Sequence, residues 1–439
     1  MDQQNTPLGQ PNIQFNPQVQ TKKAISWPVL VIVIFIGNVI LWADRTNFSV
    51  ATAAWSKQFH WTPAIIGMML SAFSFGYMLL QPLGGYLSDR LGPKKMIAYS
   101  CGGWSLFTLL TPLAPAVIWL TGSFRALLGI FEAPFNPAIT TAVSQYIPEQ
   151  SKRGTYMAFL QSGSKLGPAI GTSVGALILR AWGTSAIFMF FGLLGIAISL
   201  IWFLYSYKRS EEVNRRIIQS TEVSERAKEA EYSVRQLLSS STIWGILLAY
   251  FSVPYCTFLF LTWLPIYLNT YRHFKIVTAG LLSALPYLAA FVAYIFAGYL
   301  SDKMAEKGWT KNGLNRKLPI YFGTLVYLIT LPIAAVTTSN NLAVLMIILA
   351  NVGLAFVTNQ YWVMVSDITK RYGGTISGFM NFFGILGATI APSLTGFIVA
   401  ATGNFTLPFI ISVCILVAAA LVVALFVRVK PLSELIKQA

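Results

Sequence analysis

Runs of about twenty apolar residues recur twelve times along this chain of 439 residues, and they leave it few ways to fold. A run of that length crosses the hydrocarbon of a bilayer as a helix. Inside lipid the backbone must satisfy its own hydrogen bonds, and a helix does so within one segment. The runs lie near 27–50, 62–87, 96–114, 117–147, 155–179, 184–206, 242–268, 279–302, 317–336, 341–367, 373–402 and 404–428. Only 10% of the residues are charged and 55% are hydrophobic, whereas a soluble domain carries about 25% charge. The chain reads as an all-α membrane protein of twelve transmembrane helices. Several runs exceed the minimum, which permits tilt or kinking and fixes neither.

The net charge of +16 would suit a nucleic-acid partner, but its distribution argues otherwise. With the N-terminus cytoplasmic, about 24 of the 31 Lys and Arg fall on the cytoplasmic side, the positive-inside pattern. Lys57, Arg180, Arg272 and Lys275 fall outside; Arg45, Arg125 and Lys165 fall within the runs. Both termini are therefore expected in the cytoplasm, most simply of a bacterial inner membrane, and no nucleic acid is needed. Cys101, Cys256 and Cys414 all lie in apolar runs and form no disulfide or metal pattern. No cofactor or metal motif is visible.

Residues 1–26 are polar, rich in Gln, Asn and Pro, lack a signal-peptide core, and are expected to be disordered. The first run then serves as an uncleaved anchor. A polar stretch, 207–240, divides the runs six and six, giving halves at 27–206 and 241–428 and a cytoplasmic tail at 429–439. Its interleaved basic residues and glutamates read as a solvated, partly helical linker. The halves repeat. Gly84-Gly85-Tyr86-Leu87-Ser88-Asp89-Arg90 closes the second run and Ala297-Gly298-Tyr299-Leu300-Ser301-Asp302-Lys303 closes the eighth. Arg153-Gly154-Thr155 and Gly373-Gly374-Thr375 echo each other in the same way. Two pseudo-symmetric six-helix halves imply a transporter whose site lies at their interface and whose halves rock around it. The pattern at Gly85, Asp89, Arg90 and Gly92 resembles the signature loop of the major facilitator superfamily, which implies that fold. Gly85, Asp89, Arg90 and Asp302 are the expected gating residues.

Five charges sit deep in apolar runs: Asp44, Arg45, Arg125, Glu132 and Lys165. Each costs about 2.5–3.5 kcal/mol at the centre of a membrane, so such residues mark interior or wet sites. Asp44 and Arg45 are adjacent and point about 100° apart. Arg125 and Glu132 are two turns apart on one face. Rise per residue sets Asp44 and Arg125 at similar depth, where they could pair, and Glu132 about 10 Å deeper. The planar fork of Arg45 suits a carboxylate, Lys165 could take a second acidic group, and the buried acids could carry protons. A static ion-pair network is the alternative. His60 and His273 fall at the outer surface and are not assigned to coupling.

Four stretches resemble the anion:cation symporter family of that superfamily, across essentially all the runs. They are Asp44-Arg45 with Ser49-Val50; Ser71-Ala72-Phe73-Ser74 with Gly76-Tyr77 and Gln81-Pro82; Arg125, Gly129 and Glu132-Ala133-Pro134; and Gly378, Asn381-Phe382 and Gly384. Relatives of that kind carry sugar acids, phthalate, tartrate, glutamate or sialic acid. The resemblance implies proton-coupled uptake of a small organic anion. Arg45 would hold its carboxylate, Tyr77 and Asn381 its other oxygens, Asp44 and Glu132 protons, and Arg125 would tune Asp44. Lys165 departs from the polar, uncharged residue usual there, while Ser164 before it, and Gln360 and Trp362 with their neighbours, add polar and aromatic groups for the substrate. These favour a dicarboxylate or aromatic acid over a simple sugar acid. The expected agent is a monomeric importer of an organic anion with protons, in the lipid bilayer. An exporter or exchanger of organic anions, siderophores or drugs on the same fold is the rival. Nothing in the chain suggests an enzyme.

Overall fold

The computed structural model describes residues 27–146, 150–207, 232–369 and 372–437, nearly all of them helical. The expected disordered N-terminus and most of the linker lie outside the described residues. Twelve passes are present. Spans 1, 2 and 3 are Trp27–Gln58 and the two arms of Pro63–Leu110, which bends at Gly92. Gly92 adopts φ 76°, a left-handed conformation only glycine takes cheaply, so one continuous helical stretch becomes two crossings. Span 4 is Ile118–Glu132 followed by Phe135–Tyr146. The break falls at Pro134, which has no N–H to continue the ladder. Spans 5 and 6 are Gln150–Trp182 and Thr184–Tyr207.

Span 7 comprises Ser241–Tyr250, Ser252–Ile266 and a π-helical end, Tyr267–Tyr271. Spans 8 to 12 are Ile276–Glu306, Leu314–Val336, Asn340–Ile368, Gly373–Thr402 and Thr406–Phe426. Among the described residues, nine of these helices are long and apolar enough to cross a membrane on their own. Spans 3, 4 and 5 fall short because span 3 is brief, span 4 is broken and span 5 is rich in Ser, Thr and Gly. Their pairing with neighbours, not their own hydropathy, holds them in the bundle. The short helix Val234–Leu237, with a capping box at Ser233, leads into span 7.

Small residues set the close contacts, as in lipid they must, since tails are as apolar as leucine. In span 5 a side chain at Gly163 would crowd Val39, one at Gly167 would strike Trp42, and one at Gly171 would strike Thr46. Spans 1 and 5 therefore touch backbone to backbone. Gly76 of span 2 and Gly129 of span 4 are matched in the same way against Ala126 and Phe73.

The halves meet through spans 1 and 7, 2 and 11, and 5 and 8. Among the described residues, these meetings are closest at the end of the bundle opposite the termini. There Gly67 abuts Pro392 and Gly396, and Gly280 abuts Thr172 and Ala176. The Ser71 hydroxyl donates to the Thr389 carbonyl at 2.6 Å, Ser393 donates to Ser71 at 2.8 Å, and Ser49 donates to the Thr262 carbonyl. That end is closed.

Candidate functional site at the interface of the halves

Arg45, on span 1, is 5% exposed, and its only carboxylate partner among the described residues is Glu132, which is wholly buried. Nε donates to Glu132 Oε1 at 2.5 Å, and Nη2 reaches the same oxygen. Glu132 Oε2 has no hydrogen-bond partner. Aromatic rings enclose the guanidinium: Trp42 at 3.9 Å, Phe73 and Tyr77 each at 5.2 Å, and Phe258 at 5.9 Å. Phe258 belongs to span 7, so this cation touches both halves. The helical period explains the cluster: Trp42 precedes Arg45 by three residues, and Phe73 and Tyr77 are four apart, so each pair shares a face.

Asp44 turns away from Arg45, toward span 3. It accepts hydrogen bonds from Thr108 Oγ1 at 2.6 Å and Asn47 Nδ2 at 2.7 Å. Arg125, also buried, packs over Phe48 at 4.7 Å and Phe73 at 5.1 Å, and its Nε has no partner. Phe73 thus serves both guanidinium groups.

One expectation is corrected here: Asp44 and Arg125 are not within ion-pair distance. Arg45, the expected carboxylate ligand, is held by Glu132. Backbone depth alone misled: an arginine side chain is long enough to cross the step that separated Arg45 from Glu132. Asp44 found hydroxyl and amide donors on the face that helical rotation gave it.

Tyr77 Oη accepts from Asn136 Nδ2 at 3.2 Å, so Tyr77 is tied to span 4 beside Arg45. Ser164 and Lys165 line a small cavity between the halves, together with Trp42. Asn381 is half-buried on span 11, and Trp362 is exposed on span 10 with its indole N–H donating to Tyr250 Oη at 3.1 Å. No described contact joins either residue to Arg45. Gln360 lies elsewhere. It is fully buried and accepts from Ser301 Oγ at 3.0 Å, near the ends of spans 8 and 10. That Ser301 also accepts from Arg316, which bonds Asp302 at 3.0 Å and Asp367 at 2.8 Å. Gln360 therefore belongs to the cluster around the expected gating residue Asp302 and not to the cavity. The contacts of Gly85 and the side chains of Asp89 and Arg90 lie outside the described residues.

Residues 34–392 match the profile described as Major Facilitator Superfamily. The chain belongs to this superfamily. Superfamily members that it resembles include a probable galactarate/D-glucarate transporter of Bacillus subtilis, 31% identical over 404 residues and covering 88% of each chain. A probable L-galactonate transporter of Escherichia coli is 28% identical over 410 residues, covering 92% of this chain and 89% of that one. The chloroplastic ascorbate transporter of Arabidopsis thaliana is 28% identical over 378 residues, covering 84% and 69%. These relatives are anion transporters, and this chain is a membrane transporter, not an enzyme.

Among solved superfamily structures, an inward-facing bacterial homologue of the human lysosomal transporter Spinster superposes with TM-score 0.74 at 17% identity, over 90% of this chain and 95% of that one. A D-xylose–proton symporter superposes with TM-score 0.73 at 15% identity, over 92% and 99%. Both likenesses bear on the fold alone.

Several members of the cluster escaped sequence reasoning. Trp42 is one, and its signal was present: a tryptophan one turn before a buried arginine. Thr108, Asn47 and Asn136 left no signal, because single polar residues in a span usually bond their own helix.

Proposed function

We propose that this chain imports a small organic anion with protons, by alternating access across a membrane that holds both termini on the cytoplasmic side. The observation that carries this reading is the Arg45–Glu132 pair, buried among four rings where the halves meet. A static buried pair stabilises a fold poorly, but it suits a site where one carboxylate gives way to another. With Glu132 ionised, Nε and Nη2 of Arg45 are both held by one oxygen. Once Glu132 gains a proton, the arginine fork is released to bind a substrate carboxylate in the two-pronged geometry it favours. Asp44, cradled by Thr108 and Asn47, is the candidate for a second proton.

The named substrates of the relatives, galactarate, D-glucarate and galactonate, support a sugar acid or similar carboxylate as cargo. The closed end opposite the termini then corresponds to a sealed outer face, with release toward the cytoplasm. Reopening that face requires the Ser71–Ser393 and Gly67–Gly396 contacts to part. Uptake into proteoliposomes under an imposed inward proton gradient tests the proposal. Accumulation of a sugar acid, lost in Arg45→Ala, is expected. Uptake that survives Arg45→Ala with unchanged affinity refutes it. Flux only outward, or only in exchange, would favour the rival reading of an exporter or exchanger.

A further inference from the structure

Lys165 stands apart from the Arg45–Glu132 cluster and has no role in the coupling described above. It lines a cavity of about 30 Å³ between spans 1 and 5 of one half and spans 7, 8 and 10 of the other. Among the described residues no carboxylate lies within ion-pair distance of it. The ring of Tyr294 lies 5.7 Å from its ammonium. One cation–π contact offsets only part of the cost of taking an ammonium out of water.

Two of the cavity's buried polar atoms have no partner. The side chains of Trp42 and Tyr287 line it, and both Trp42 Nε1 and Tyr287 Oη are buried without a hydrogen-bond partner. Tyr287 itself is 5% exposed. Buried donors left unpaired in a native fold call for an explanation. No Asp or Glu lines the cavity, whereas Ser164, Asn351 and Thr358 add further polar groups. An ammonium, an indole N–H and a phenol, all unpaired around a small space, form an anion subsite. Its volume suits one or two waters, or the head of a single carboxylate.

Its position fits the same cargo. Trp42 is shared, carrying the Arg45 guanidinium at 3.9 Å and also lining the cavity. The Gly163-Gly167-Gly171 seam fixes span 5 against span 1 and so holds Lys165 beside Trp42. Pro168, also lining the cavity, cannot donate to the Ser164 carbonyl one turn back, which frees an acceptor there for a cargo hydroxyl.

We infer that Lys165, Trp42 and Tyr287 form a second anion subsite, which makes this a carrier for dianions, with one carboxylate on Arg45 and the other in the Lys165 cavity. The inference rests on the carboxylate-carrier reading above. Lys165 is then the residue that sets specificity between diacids and monoacids.

Three matched pairs test it: galactarate against galactonate, phthalate against benzoate, and succinate against butyrate. Each pair differs in one carboxylate. Titration calorimetry on the purified full chain in nanodiscs gives the ratio of affinities. For the pair that binds, the wild type is expected to prefer the diacid by about tenfold or more, the worth of a hydrogen-bonded charge. Lys165→Gln should bring the ratio to within about twofold, and Lys165→Arg should keep most of it. Tyr287→Phe, which removes one oxygen and no packing, should lower the ratio part-way and remains informative if Lys165→Gln does not fold. An unchanged ratio in both Lys165→Gln and Tyr287→Phe overturns the subsite. So does a wild type that prefers monoacids through Arg45, which would leave the carboxylate-carrier reading intact. Failure of all six acids to bind overturns that reading and the subsite with it.

Discussion

Substitution of Glu132 by glutamine should uncouple anion binding from pH. In the wild type Nε and Nη2 of Arg45 converge on Glu132 Oε1, and Oε2 has no partner. A substrate carboxylate that displaces an ionised Glu132 leaves a buried, unpaired charge. Removing one partner of a buried pair costs about 3–5 kcal/mol, or roughly 140- to 3,700-fold in affinity at about 1.4 kcal/mol per decade. On the proposed competition for Arg45, binding should proceed through the protonated form, with Glu132 taking up one proton for each anion bound. The sign follows: affinity strengthens as pH falls. Across the range in which free Glu132 is ionised, Kd should rise about tenfold per pH unit, over two units or more, before the unprotonated route limits it. The Glu132→Gln side chain keeps the shape and an oxygen for Arg45 but carries no titratable proton, so Kd of the variant should be flat with pH. Calorimetry in buffers of different ionisation enthalpy counts the protons directly: Glu132→Gln should take up one fewer than the wild type. Uptake should mirror this, with exchange retained and gradient-driven accumulation lost. A Glu132→Gln protein that keeps the wild-type slope refutes the competition for Arg45. If Asp44→Asn then abolishes that slope, Asp44 is the coupled acid.

Other consequences follow from contacts already described. Gly67→Leu puts a side chain where a Cβ alone would lie 2.6 Å from the Pro392 carbonyl, so the closed end should be propped open. Turnover should stop while cysteines placed near position 71 become accessible to a membrane-impermeant thiol reagent; unchanged labelling would show that this contact is not the seal. Gly129→Ala should lower the thermal midpoint of the purified protein markedly, by about 1–3 kcal/mol of overpacking or more, because a Cβ there would collide with the Phe73 carbonyl. Asp302→Asn should cost under about 1 kcal/mol, since its side chain is 71% exposed and surface pairs are weak. Arg316→Ala should cost clearly more, as it also frees Ser301 and Asp367; equal effects in denaturation midpoints would count against Arg316 as the hub of that cluster.

The sequence carried the fold because membrane burial leaves a coarse, one-dimensional signal. Run lengths set the crossings, and the repeated Gly-x-x-x-Asp loops at 85–89 and 298–302 set the two halves. Even spans 3, 4 and 5, which are weak alone, were legible as runs, though the bend at Gly92 and the break at Pro134 show why hydropathy by itself undercounts them. The site was legible as a list and not as a set of partners. Asp44, Arg45, Arg125 and Glu132, each conspicuous as a charge in hydrocarbon, are buried, whereas Lys165 is half-buried and the buried Arg316, near the end of its span, was not singled out. The pairing of these charges was not legible, because it depends on helix rotation and side-chain reach at a scale finer than one residue of rise. Asp44 and Arg45 differ by one position and consequently face different spans, one meeting Thr108 and the other Glu132. Gln360 shows the opposite error: polar composition placed it with the cargo, whereas depth along span 10 places it with Ser301. Lys165 is the instructive case. Its charge was visible in sequence, but what gives it meaning is the absence of an acid beside it among the described residues, and the unpaired donors of Trp42 and Tyr287 around it. Those come from spans 1 and 8, in different halves, and only the assembled interface brings them together. On the proposed alternating access, a site made by two halves that must also separate leaves its donors to cargo, which is the role proposed for Lys165.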